Sequence, residues 1–193
     1  MASLRTEDWD AGVGARTRHE GDEFIDLDLC ETTLEGVEFD KCTFRNARLN
    51  CAVMTDVAFL NCTFVACNFF DAELTNCKLV GSTFDRCSFD LATADGGDWS
   101  FTSLRAADLS TATLTGLRMR EADLTGVRAQ GATLTGLDLS GAQFHQADLT
   151  RADLRGSDLS SLDPATTAIR DAIITSDQAV TIASALGLDV RAA

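Results

Sequence analysis

Tyrosine is absent from this chain, and proline occurs once in 193 residues. Such a composition is unusual for a globular enzyme. A basic surplus is missing too: 16 Lys and Arg face 30 Asp and Glu, a formal charge of −14. Proteins that grip nucleic acid or anionic membranes carry a basic footprint, so neither is an expected direct ligand. No apolar run reaches the roughly 18 residues that a membrane span needs. Met1 to Glu20 is polar and mixed in charge, without the apolar segment of a secretory signal, so a cytoplasmic location is expected. What is present is substantial: a hydrophobic share of 45% is too high for a disordered acidic chain. A chain of this length can bury a sizeable core.

Catalytic and metal-binding signatures are also scarce. The two histidines, His19 and His145, have no fixed acid or nucleophile partner in the sequence. There is no glycine-rich phosphate loop. Seven cysteines occur but no CxxC pair, and Cys42, Cys62, Cys67, Cys77 and Cys87 are spaced by multiples of five. Only Cys30 and Cys51 fall outside that register. In a reducing compartment such cysteines behave as small buried hydrophobes rather than disulfides or ligands. No enzyme activity, metal or cofactor is expected.

The decisive feature is an internal repeat. Stepping by five from Phe24 gives Leu29, Leu34, Phe39, Phe44, Leu49, Met54, Phe59 and so on to Leu159. The series holds 28 positions without a slip, and 23 of them are Leu or Phe. Calling each of these position i, residue i−2 is small (Ala, Cys, Val, Ser, Thr or Gly) in 24 of 28 repeats. Position i−1 is mostly polar, i+1 is often Ser, Thr, Arg or Asp, and i+2 is often Gly in the C-terminal half. A period of five fits neither the helical 3.6 nor the strand period of 2. Two inward residues per five require the chain to turn a corner in every repeat, which stacks into a solenoid. Ala94-Asp95-Gly96-Gly97-Asp98-Trp99 disturbs the pattern without inserting residues, so no loop is expected between 22 and 161.

Stretches such as Ala107-Asp108-Leu109-Ser110 and Ala152-Asp153-Leu154-Arg155-Gly156 resemble the pentapeptide-repeat family. Its pattern is a small residue, Asp or Asn, Leu or Phe, a Ser/Thr/Arg position, then Gly. The resemblance implies an all-β solenoid: a right-handed quadrilateral β-helix with four repeats to a 20-residue coil. That period stacks Phe24, Phe44, Phe64 and Phe84 in one column, and pairs Phe39 with Phe59 and Phe69 with Phe89. About seven coils would make a rod roughly 34 Å long. The expected organisation is a flexible arm over 1–21, with Gly12-Val13-Gly14 inside it, the repeat over 22–161, and a cap over 162–193.

Pro164 falls at the next central position and cannot donate to a ladder; the register continues weakly through Ile169 and Ile174. A short C-terminal α-helix is then expected, with Ser176 as N-cap and Gly187 as stop. Its apolar face would carry Val180, Ala183 and Leu186, with Ile182 alongside. The residues leave two readings open, a monomeric lid on the last coil or a two-fold interface. The tail after Asp163-Pro164 resembles that of the mycobacterial fluoroquinolone-resistance pentapeptide proteins. This implies a homodimer through the C-terminal end, with Ile173, Ile174, Val180, Ile182, Ala183 and Leu186 as interface candidates.

Numbering the faces after Phe24, Leu29, Leu34 and Phe39, the acidic bias is uneven and concentrates on faces 2 and 3. Face 3 carries Glu35, Asp56, Glu73, Asp95 and Asp153 against Arg155. Face 2 carries Asp71, Asp90, Asp108 and Asp148, with Asp28 and Glu31, against Arg48, Arg128 and Arg151. Solvent-facing Asp can simply keep a repeat protein soluble. The resemblance implies instead a mimic of DNA that binds DNA gyrase, with topoisomerase IV as a second candidate. It would inhibit the enzyme, protect it from quinolones or other poisons, or do both. A general interaction scaffold with no topoisomerase partner is the alternative.

Overall fold

A left-handed corner at every fifth residue from Gly21 to Gly156, with Thr111 the one exception, builds this fold. In the computed structural model, which describes residues 3–10 and 17–191, every non-glycine residue with positive φ falls at position i+2, from Asp26 (φ 54°) to Asp171 (φ 59°). The backbone turns there, and the i+2 N–H donates to the next coil, as Asp26 does to the Arg45 carbonyl at 2.9 Å. Glycine suits this conformation best, which explains its recurrence at i+2 in the C-terminal half. At Gly97 (φ 99°) the need is also steric, because a Cβ would collide with the Cys77 carbonyl.

Between corners the chain forms short strands, all parallel and offset by 20 residues. Face 1 stacks β1 (Ser3–Leu4), β3 (Glu23–Ile25), β6 (Thr43–Arg45), β9 (Thr63–Val65) and β11 (Thr83–Asp85). Face 3 stacks β4 (Thr33–Glu35), β7 (Val53–Thr55), β10 (Glu73–Lys78), β12 (Thr93–Asp98), β13 (Thr113–Thr115) and β14 (Thr133–Thr135). β10 and β12 run on into face 4, which begins with β2 (Arg18–Glu20), β5 (Glu38–Asp40) and β8 (Ala58–Leu60). Face 2 is held by isolated bridges such as Asp28 to Arg48 and Arg48 to Asn68. The longest stack holds six strands, so regular pairing covers about six turns rather than seven; single bridges extend it through Asp153 and Ile173.

Position i fills the centre. Phe24, Phe44, Phe64 and Phe84 stack face to face with ring centroids 4.8–4.9 Å apart, as Phe39 and Phe59 do at 4.9 Å and Phe69 and Phe89 at 5.2 Å. Trp99 keeps the register too and is buried. Position i−2 is small for a second reason besides close approach. Its hydroxyls and thiols reach the carbonyl of a central residue one coil back: Ser82 Oγ to Phe59 at 2.8 Å, Ser157 Oγ to Leu134 at 2.7 Å, Cys62 Sγ to Phe39 at 3.3 Å. The buried cysteines are therefore hydrogen-bonded members of the wall. Burial pushes the Cys77 thiol up to about 11.

Where a flexible arm is expected, the structure builds a cap. β1 pairs with β3, and β2 pairs with β5. Between them the short α1 (Thr6–Asp10) carries Trp9 over the open end of the core. Trp9 lies 5.7 Å from His19 and 6.4 Å from Phe39, centroid to centroid, and His19 stacks on Phe39 at 4.9 Å. His19, expected in the arm, is a core residue with Nδ1 3.4 Å from Asp22. Leu4, Trp9 and His19 all lie on the five-residue step counted backward from Phe24. Apolar end-capping replaces solvent contact that would otherwise unravel the first coil. The expected flexibility of Gly12–Gly14 lies outside the described residues.

At the other end, α2 (Ser176–Ala185) starts one residue earlier than expected. Thr175 is its N-cap, in a reciprocal capping box with Gln178, and Gly187 (φ 82°) ends it. The buried Gln178 also donates to the Leu154 and Ser157 carbonyls at 2.6 and 2.8 Å, fastening the helix to the last coil. The helix packs with Ile182, over Ile169, Ala172 and Ile174, rather than with Val180 and Leu186, which stay exposed. If the aromatic cap holds the N-terminal end closed, Trp9→Ala will lower the unfolding free energy by about 3 kcal/mol. Urea denaturation monitored by circular dichroism checks this; an unchanged midpoint would show that the cap contributes nothing.

Candidate functional site

The outward carboxylates divide into two chemical groups according to their place in the repeat. Asp at i−1 folds back: one oxygen accepts the backbone N–H of i+1, closing a small side-chain turn across the central residue. Asp108 does so with Ser110, Asp138 with Ser140 and Asp148 with Thr150, at 3.0–3.3 Å. A hydroxyl at i+1 adds a second bond, 2.7 Å for Ser110 and 2.6 Å for Ser140. The other oxygen meets a cation from a neighbouring coil: Arg128 on Asp108 at 3.1 Å, Arg120 on Asp138 at 2.6 Å, Arg118 on Asp98 at 3.2 Å. The Ser110 hydroxyl, and after it the Ser110 amide and Arg128, hold the Asp108 carboxyl below the ordinary carboxylate range. The Ser140 hydroxyl and Arg120 do the same for Asp138, and the Thr150 side chain for Asp148.

The second group stands away from the wall. Glu31, Glu35, Asp56, Asp71, Asp90 and Asp95 occupy i+1 or i+2, and Glu73 sits on the outer side of β10; all are exposed. Among the described residues none of the seven is within ion-pair distance of Lys or Arg. Their polar neighbours are neutral, for example Thr115 on Asp95 at 2.8 Å and Ser88 on Asp90 at 3.0 Å. The strand register sets Glu35, Thr55, Thr75 and Asp95 in one column, with Glu73 on the same face. Asp71 and Asp90 meet at the corner of faces 2 and 3, where the Asp71 amide donates to the Asp90 carbonyl at 2.9 Å.

The structure thus brings together six of the nine acidic residues singled out in sequence: Glu35, Asp56, Asp71, Glu73, Asp90 and Asp95. Asp108, Asp148 and Asp153 are tied down, Asp153 by Arg155 at 2.6 and 2.9 Å. Glu31 joins the first six. The signal separating the groups is in the sequence: Asp at i−1 followed by Ser, Thr or Arg at i+1 marks a carboxylate engaged with its own backbone.

At the C-terminal end Ile173, Val180 and Leu186 are exposed, together with Leu188 and Val190. Ala183 is half-buried, and Ile174 and Ile182 pack against the core. Inside the rod the space is lined by apolar side chains, Leu114, Met119, Leu124 and Phe144 among them. An open polar groove lies outside, between Lys78, Asp98 and Arg118. Among the described residues, no helix is long and apolar enough to cross a membrane.

Two family profiles match the chain: "Pentapeptide repeat region" over residues 67–144, and "Pentapeptide repeats (8 copies)" over 23–64 and 130–161. Among solved structures, a trypsin-treated variant of QnrB1, a plasmid-mediated fluoroquinolone resistance protein, is 25% identical with a TM-score of 0.56. That match covers 91% of this chain and 90% of QnrB1. A second trypsin-treated QnrB1 variant is 26% identical with a TM-score of 0.50, covering 90% of each chain. HetL of Nostoc, involved in heterocyst differentiation regulation, matches at 20% identity with a TM-score of 0.25, covering 88% of this chain and 94% of HetL. No curated protein matches the sequence. None of these matches is to an enzyme family.

The tied carboxylates predict an acid limit to stability. Their folded values lie below the roughly 3.9 of a free aspartate. Their contribution is therefore complete above about pH 4 and is lost as pH falls through the folded values. Thermal midpoints measured between pH 7 and 2 should fall below pH 4. Replacing Asp108, Asp138 and Asp148 together by Asn should flatten that fall; an equally steep curve in the variant would place the titrating groups elsewhere.

Proposed function

The chain belongs to the pentapeptide-repeat family, and from that premise we propose that it is a cytoplasmic DNA mimic that occupies the DNA-binding surface of a type II topoisomerase, chiefly DNA gyrase. The observation that carries this reading is the run of seven exposed carboxylates on faces 2 and 3 that have no cation partner among the described residues. From Glu31 to Asp95 they span three coil steps, about 14 Å along the rod. Duplex DNA carries roughly eight charges over the same length. Spread over the whole rod, the acidic surplus would be dilute; gathered here, it approaches the linear charge density of the duplex.

A rigid scaffold matters as much as the charge. A flexible acidic tail loses conformational freedom on docking, whereas these carboxylates already stand on a hydrogen-bonded wall. The likeness to QnrB1, at 25–26% identity over nine-tenths of both chains, supports a role in resistance to fluoroquinolones. Occupying the site where the enzyme holds DNA would inhibit it and would also deny a quinolone the cleavage complex it traps. Charge–charge contacts of this kind weaken as salt rises.

The tail supports a homodimer. Ile173, Val180, Leu186, Leu188 and Val190 leave an apolar surface at one end of the rod, while Ile174, Ile182 and Gln178 secure the cap beneath it. Joining two such ends buries the patch and yields a rod of roughly 70 Å.

Reversing Glu35, Glu73 and Asp95 together to Lys should weaken inhibition of gyrase supercoiling at least tenfold while leaving the circular dichroism spectrum intact. Undiminished inhibition by that variant would remove faces 2 and 3 as the docking surface. Sedimentation should give a dimer for the wild type and a monomer for Val180→Asp with Leu186→Asp; a monomeric wild type would refute the interface.

A further inference from the structure

Within the acidic field lies an apolar island that charge mimicry does not require. Phe70, at i+1 on face 2, is 39% exposed; Leu91, at the corner of faces 2 and 3, is 50% exposed; Val53 on β7 is 38% exposed. They sit on neighbouring coils. The Cys51 amide donates to the Phe70 carbonyl, and the Asp71 amide to the carbonyl of Asp90, the residue before Leu91, at 2.8 and 2.9 Å. The exposed Cys51 lies between Phe70 and Val53. Glu31, Asp71, Glu73 and Asp90 surround the island, and none is neutralised by a cation among the described residues.

Nothing in the fold calls for these side chains. The corner column that holds Leu91 otherwise carries Glu31, Cys51, Asp71, Thr111, Gly131 and Arg151, and the Phe70 column carries Asn50, Asp90 and Ser110. Leu91 moreover holds φ at 60°, a region a γ-branched residue rarely occupies. A second copy of this chain is a poor occupant, because it would bring the same uncompensated carboxylates face to face. Charge complementarity selects a basic protein surface with an apolar pocket between its Lys and Arg side chains. In such contacts a desolvated aromatic anchor dominates the affinity, while the charged rim sets the encounter rate and the register.

We infer that Phe70 and Leu91 are the apolar anchor of the partner-binding surface, inserting into a pocket among the basic side chains of the topoisomerase. This rests on the gyrase reading above. A duplex offers its protein nothing equivalent at this place, so the chain binds by imitation of charge plus one contact of its own.

The test is a binding titration of the full chain against purified gyrase at several salt concentrations, comparing wild type, Phe70→Ser with Leu91→Asn, and Phe101→Asn. Phe101 is also exposed (56%) at a left-handed corner, φ 59°, but between faces 4 and 1. Asn is at home in that conformation, so neither variant should unfold at a lower temperature than wild type. The double variant should lose affinity about thirty-fold at every salt concentration, the loss typical of an anchor. Its slope of log affinity against log salt should stay unchanged, and Phe101→Asn should bind within about twofold of wild type. Double-variant binding as tight as wild type would overturn the anchor while leaving the acidic mimic standing. A wild type that does not bind gyrase would sink the topoisomerase reading and the anchor with it. Loss of self-association in the double variant, seen by sedimentation, would overturn it in favour of a contact between copies.

Discussion

The parallel hydrogen-bond ladder between coils, entered by a left-handed residue at nearly every fifth position, is the constraint on which the molecule depends. Typically the i+2 N–H donates outward to the next coil, as Asp26 does to Arg45, and the i−1 N–H donates back to the preceding one, as Thr43 does to Asp22. Sequence position is thereby converted into a place on a face: residues 20 apart are neighbours, and a one-residue slip would move the whole core into solvent. The central Phe and Leu fill the rod, but it is the ladder that makes them stack in columns rather than collapse. The cost is strain at corners without glycine, of order 1 kcal/mol each, spread along the length and offset by a continuous core.

That geometry also decides what a carboxylate can do. At i−1 an aspartate is close enough to its own i+1 amide to be absorbed into the wall, and the 20-residue repeat supplies an arginine from the next coil to complete it. At i+1 and i+2 the seven carboxylates of faces 2 and 3 other than Glu73 have no such bond to their own repeat, whereas Asp26 and Asp85 at the same positions are paired with Arg5 and Arg86. The same residue type therefore serves stability at i−1, in Asp28 as in Asp108, and presentation at i+1 and i+2 on faces 2 and 3 of the N-terminal half. Net charge alone, −14 over the chain, hides the division.

Much of the fold was legible in the sequence because the period of five has a single structural solution once a 20-residue coil is adopted. The Phe columns, the inward Trp99 and the uninterrupted register from 22 to 161 follow directly. The cap at the N-terminal end was not legible, although Leu4, Trp9 and His19 obey the same step. Their i−2 neighbours, Ala2, Glu7 and Thr17, break the small-residue rule in one case, and His and Trp replace the usual Leu and Phe. The helix start was misplaced because Ser176 and Thr175 are both good caps; the Thr175–Gln178 spacing, a capping box, favours the earlier one. For the candidate surface, sequence located the two acidic faces, but the i−1 position of Asp108, Asp148 and Asp153, which marks carboxylates bonded to their own i+1 amide, went unused.

The central claim is that these carboxylates stand in for phosphates. Its most direct measurement is equilibrium competition between the full chain and a labelled duplex for purified gyrase, followed over a range of salt concentrations. Mutually exclusive binding, with affinity for the chain falling as salt rises, is the result this account predicts. A ternary complex of enzyme, duplex and chain, or displacement that ignores salt, would contradict it.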